Sequence, residues 1–199
     1  MFQIRPAEPA DVDTAVAVLG DAFAGDPLMA YLFADAPAGV RASVMEFFSI
    51  LMRVRLALGM PALVLEDGNE MLGAAMGYNS SRPAWPSPYD EEWQEFEADV
   101  PGLAARLAAY DKICEEGAPT VAHYYLGVIG IHPSAQGKGA GQALLGAFCN
   151  LSHRDTESAG VYLDTANPES LRFYTRNGFE LRGQGYLDAM PLWCVFRPN

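Results

Sequence analysis

"YYLGVIGIHPSAQGKGAGQALL", residues 124–145, changes character twice. An apolar, partly β-branched run through Ile131 gives way to Pro133 and a glycine cluster, after which Gln142, Ala143, Leu144 and Leu145 are helix formers. The pattern predicts a strand, a turn stripped of side chains, and a helix. In such a turn the free N–H groups converge on a point that also feels the positive end of the helix dipole, which suits a phosphate. Glycines at 137, 139 and 141 let a diphosphate approach the main chain where a Cβ would collide with it, and Lys138 adds local positive charge. A strand-to-helix turn by itself needs one glycine; three at alternate positions call for a ligand.

Outward from this stretch the chain alternates strands and helices. Phe2–Arg5 is β-prone, and Val12, Ala15, Val16, Leu19 and Phe23 recur at helical spacing. Two helical pieces fill residues 27–58, ending at Gly59. Asp67-Gly68-Asn69 between two apolar segments is a hairpin signal. Residues 80–119 read as a helical insertion divided by Pro101, covering the sheet on the acceptor side, with Trp85, Tyr89, Trp93 and Phe96 as packing groups or pocket wall. After the central helix, expected over Gly139–Arg154, come a strand (Gly160–Thr165), a helix (Glu169–Asn177) and a closing pair of strands. The fold class is α/β (α+β) in a single domain, 1–199, with no internal repeat.

Half of the 199 residues are hydrophobic, enough for one sizeable core. The net charge of −12 disfavours nucleic acid and anionic membrane surfaces as partners and favours a cationic small molecule. No targeting segment or membrane span is read, and Cys114, Cys149 and Cys194 are expected as reduced thiols in a cytoplasmic protein, monomer or homodimer. None of the three histidines has metal-ligand spacing, so no metal is expected. His123, Tyr125, Asp26 and Glu66 are candidates for the acceptor side of a cleft, whereas Phe33, Phe47, Phe48, Met45 and Met52 read as core.

Three nucleotide-binding patterns compete for the glycine turn. A P-loop fails because Lys138 is followed by Gly139 rather than Ser or Thr. A dinucleotide fingerprint is matched in part, with Gln142 where the third glycine belongs and Asp164 closing the next strand, but too little chain follows for a doubly wound domain. The third, Q/R-x-x-G-x-G/A, is met in full by Gln136, Gly139 and Gly141.

On these residues, with "YLDTANPESLRFYTRNGFE" and the late "LWCVF", the chain from 121 to 197 resembles the GNAT superfamily of acyl-CoA-dependent N-acetyltransferases. "DAFAGDPLMAYLF" looks like the puromycin N-acetyltransferase-like branch. The resemblance implies a GNAT fold, a mixed and mostly antiparallel sheet of six or seven strands with helices on both faces. It implies acetyl-CoA as co-substrate, a primary amine of a small molecule or peptide as acceptor, and direct attack in a ternary complex. The pantetheine arm would lie along a splayed strand at Ile129, Gly130 and Ile131, with Gly130 easing the distortion. The pyrophosphate would rest on Gln136, Gly137, Lys138, Gly139, Ala140, Gly141 and Gln142, and Asn167 would contact the coenzyme arm. Tyr174 matches the family's general acid, and Asp164 stands where many relatives place a glutamate base; being shorter by one methylene, it is expected to work through water. The rival reading is a non-catalytic acyl-CoA-binding sensor module.

Overall fold

The computed structural model describes residues 1–199. Its seven strands, β1 (Gln3–Pro6), β2 (Ala62–Asp67), β3 (Glu70–Tyr78), β4 (Tyr124–Ile131), β5 (Gly160–Thr165), β6 (Glu180–Leu187) and β7 (Met190–Pro198), form one sheet in the order β1-β2-β3-β4-β5-β7-β6. Every neighbouring pair is antiparallel except β4 and β5. That parallel pair is joined by a helical crossover, as a parallel connection requires. Seven helices complete the fold: α1 (Val12–Ala22), α2 (Pro27–Leu32), α3 (Val40–Ala57), α4 (Ser87–Asp99), α5 (Leu103–Gly117), α6 (Ala140–Arg154) and α7 (Pro168–Arg176). The expected mixed, mostly antiparallel sheet with helices on both faces is what forms.

Strand alternation divides the core into two layers. In β2, Ala62 and Val64 pack with α1, α2 and α3, while Leu63 and Leu65 pack on the other face with α6. The α6 residues Ala140, Leu144, Leu145, Phe148 and Cys149 recur at helical spacing and are all buried against the sheet.

Two features position the site. First, α5 lies close over the β6–β7 end: a Cβ on Gly117 would stand 2.5 Å from the Cβ of Cys194, and one on Gly185 would stand 2.7 Å from Ile113. Second, β4 and β5 pair only at Tyr124 with Val161 and Tyr125 with Tyr162, then part. Beyond Tyr125 the β5-facing flank of β4 has no strand against it. The distortion lies earlier than the sequence suggests. The β3–β4 register slips between Met76–Val128 and Gly77–Leu126, so the bulge is at Gly127 rather than Gly130. Gly130 is bare for a different reason: α1 crosses there, and a Cβ would meet Leu19 at 2.8 Å and Ala22 at 3.0 Å.

Candidate active site

The turn after β4 has the geometry its glycines suggest. Gly137 and Gly139 take φ of 73° and 86°, values that a side chain disfavours, and no atom lies within 4 Å of where either Cβ would stand. Gly139 is the N-cap of α6, and no side chain caps it. The first-turn amides of Ala140, Gly141 and Gln142 are therefore left for a ligand or water. The Gln136 side-chain amide donates to the Ile131 carbonyl at 3.0 Å, which ties the turn to the end of β4. Gln136 thus braces the turn, and Lys138 stands exposed beside it.

Where β4 and β5 part, a cavity of about 660 Å³ opens between the sheet and the helices α1–α5. Ile129 and Tyr174 line it, as do Asp164, Tyr125 and Tyr110. Asp164, half-buried on β5, accepts a hydrogen bond from the Tyr110 hydroxyl at 2.8 Å and another from the Tyr125 hydroxyl at 2.8 Å. The two phenol oxygens are 3.0 Å apart. Burial raises the Asp164 pKa above the ordinary carboxylate value, while the two phenols oppose the rise. Burial, with the nearby Asp164 charge, pushes both tyrosines well above a free phenol.

Tyr174 is the one buried residue of α7. Its ring packs against Phe173 and Phe179, and its hydroxyl makes no hydrogen bond within the protein. Burial first, and then the charges of Asp164 and Asp26, raise its pKa, so the phenol keeps its proton throughout the neutral range. Asn167 is the N-cap of α7, its Oδ1 accepting from Glu169 at 2.9 Å and Ser170 at 3.5 Å. Pro168 follows at the first helical position, where its missing N–H costs nothing.

Other candidates separate. Tyr125 and Asp26 line the cavity; Glu66 does not, being held with Asp11 by Arg5, nor does His123, which meets Arg82 at 3.1 Å. Phe33 and Met52 are core, but Phe47 and Phe48, also read as core, reach the cavity wall. From the insertion, Trp85 and Trp93 form wall and Phe96 is buried. Tyr110 and Arg55 are site residues that periodicity did not reveal. Tyr110 sits in a stretch of ordinary helix formers, and Arg55 occupies the last turn of α3, where a cation suits the dipole without any further role. No group of three or more His, Cys, Asp or Glu side chains is placed to hold a metal ion, and all three cysteines are free thiols. No helix is long and apolar enough to cross a membrane.

Comparison with known proteins agrees with this geometry. Residues 102–181 match the family model for the acetyltransferase (GNAT) domain. Among solved structures the chain is similar to a histone acetyltransferase HPA2 and related acetyltransferase from Corynebacterium glutamicum, with 24% identity, a TM-score of 0.72, and coverage of 100% of this chain and 97% of the other. It is also similar to the Drosophila melanogaster polyamine N-acetyltransferase, at 16% identity and TM-score 0.70, covering 100% of both chains. A third likeness is to yncA, a putative acetyltransferase from Salmonella typhimurium solved with its cofactor acetyl-CoA, at 19% identity and TM-score 0.57, covering 99% of this chain and 93% of the other. The fold is the GNAT fold. Residues 102–181 carry the match to the acetyltransferase (GNAT) domain within it.

Proposed function

We propose that the protein transfers the acetyl group of acetyl-CoA to a primary amine of a small molecule or peptide, by direct attack within a ternary complex. The observation that carries this reading is the continuity of an uncapped glycine turn, an open β4 flank and a cavity holding both a half-buried carboxylate with two phenols and a separate protonated phenol.

The coenzyme diphosphate would rest on the amides of 137–142, with the pantetheine arm along Ile129–Ile131. Asn167 has its Oδ1 committed to the α7 cap and would meet the arm with its amide NH₂. An acceptor amine arrives protonated and must first lose a proton. Asp164 is the sink for it, and the hydroxyls of Tyr110 and Tyr125 are the path: a phenol takes the proton on its oxygen as its own passes to the carboxylate. The freed nitrogen attacks the thioester carbonyl, which main-chain amides near Ile129 would polarise. As the carbon–sulfur bond breaks, Tyr174 gives its proton to the sulfur and regains one from the new amide nitrogen. One proton remains on Asp164 and leaves to solvent. The helical insertion, which supplies Trp85, Trp93 and Tyr110 to the cavity, forms the acceptor-side cover. The α1–α2 segment, with Asp26 capping α2 and lining the cavity, is what we assign to the puromycin N-acetyltransferase-like branch.

A thiol-release assay with acetyl-CoA and a panel of primary amines tests the reading. Amine-dependent release, with the acetylated amine identified by mass spectrometry, is expected. Tight coenzyme binding with no release from any amine would instead indicate a sensor module.

A further inference from the structure

Arg55 lies at the end of α3 with 6% of its surface exposed, and it is the one cationic side chain lining the cavity. Its guanidinium lies against two aromatic rings, with Cζ 4.3 Å from the Tyr78 centroid and 5.7 Å from that of Trp85. Trp85 donates through its indole N–H to the Tyr78 hydroxyl at 2.7 Å, which locks this pair of rings. Of five N–H donors, one is engaged, from Nη1 to the Leu51 carbonyl at 3.4 Å. Nε is buried with no partner, and Nη2 makes no hydrogen bond either. No carboxylate forms an ion pair with Arg55, although the protein's other cavity-side charges, Asp26, Asp90, Glu97, Asp111 and Asp164, are all acidic.

A buried guanidinium without an anion is costly, and arginine cannot escape the cost by losing its proton. Burial pulls its pKa down, only partly offset by the phenols of Tyr78 and Tyr125. With the two rings against the group and Nε sealed, Nη2 is left as the accessible donor without a partner, suited to a charge-assisted hydrogen bond to a carboxylate. A protein with a net charge of −12 has carboxylates to spare, yet none reaches this guanidinium.

We infer that the Arg55 guanidinium, through Nη2, is a recognition site for a carboxylate on the acceptor, so that the preferred substrates are amino carboxylates with the amine toward Asp164 and the acid toward Arg55. This rests on the transferase reading for the amine end, whereas the carboxylate site itself does not require turnover. The cavity walls of Trp85, Trp93, Phe47 and Phe48 suit an apolar or aromatic body between the two ends.

Two measurements test this. In calorimetric titration of the coenzyme A-saturated protein, a series from phenylacetate to 5-phenylpentanoate is compared with the corresponding alcohols. The best carboxylate is expected to bind on the order of 10- to 100-fold more tightly than its alcohol, as a charge-assisted pair provides. In Arg55→Met that ratio should collapse toward one. In the thiol-release assay, amino acids and ω-amino carboxylates of increasing length are compared with their decarboxylated amines; a matching preference in kcat/KM, expressed through KM and lost in Arg55→Met, is expected. Equal or weaker binding of every carboxylate to the wild-type protein overturns the inference, as does a preference that survives Arg55→Met. If Arg55→Met does not fold, the wild-type ratio alone decides. If no amine releases thiol, the transferase reading fails, and the carboxylate site still stands or falls by the titration.

Discussion

Asp164 and Tyr174 occupy one cavity, but their protons are managed in opposite ways. Asp164 is a carboxylate whose burial favours protonation while two phenols favour ionisation, and burial prevails, so its pKa is raised. Tyr174 has no hydrogen-bond partner to stabilise a phenolate, and it remains an acid. Asp164→Asn is expected to lower kcat/KM by about 10²-fold or more and to remove the acid limb of its pH profile. That limb should lie above the ordinary carboxylate value of 3.8. Stability has a matching signature. With the folded pKa raised, the native state binds more protons than the unfolded chain between 3.8 and the raised value. Stability therefore falls as pH rises through that window, and Asp164→Asn should flatten the slope in chemical denaturation. Tyr174→Phe removes a hydroxyl with no partner in the protein, so it should leave the melting temperature and coenzyme affinity nearly unchanged while slowing kcat by about 10²-fold. Unchanged turnover would remove Tyr174 from the mechanism.

At the scale of elements, the site depends on how closely two helices approach the sheet. Helix α6 starts at a glycine in the left-handed region, and Gly139→Ala would force a side chain into that conformation at a cost of about 1–2 kcal/mol. In a chain of this length that corresponds to a fall in melting temperature of about 2–8 °C. The same substitution should weaken acetyl-CoA binding, read as a higher Kd. Helix α5 carries Tyr110 and is seated by Gly117 against Cys194. Gly117→Ala places a Cβ inside contact distance of a buried strand residue, so α5 must lift, which costs about 1–3 kcal/mol. Tyr110 should lift with it. The expected result is a loss of kcat/KM that resembles Tyr110→Phe, with coenzyme affinity preserved, because α5 has no part in the glycine turn.

Across the whole molecule, the sequence was most legible where one local rule sets the structure. Gly139 and Gly141 after a β-branched strand, Asn167-Pro168 before a helix, and Asp67-Gly68-Asn69 between apolar runs each declare their element, and each is where it was read. The seven-stranded sheet follows from that order. Long-range juxtaposition was less legible. Nothing local in "LAAYDKICEEG" says that Tyr110 meets Asp164 across 54 residues of chain, because the encounter depends on α5 crossing Gly183 and Gly185 of β6 and setting its own Gly117 on Cys194 of β7. Arg55 was hidden in the same way, among helix residues whose charges usually face solvent. Gly130 was assigned to a bulge that Gly127 makes, since a glycine that admits a neighbouring helix and one that bends a strand look alike in sequence.

The central claim is that the main chain after Gln136 holds a diphosphate while the parted β4 flank receives the thiol arm. Residue-resolved amide hydrogen exchange, with and without saturating acetyl-CoA, tests it most directly. The account predicts that added protection concentrates at Gly137–Gln142 and along Leu126–Ile131. Protection located elsewhere, with these amides exchanging as freely in the complex as in the free protein, would contradict it.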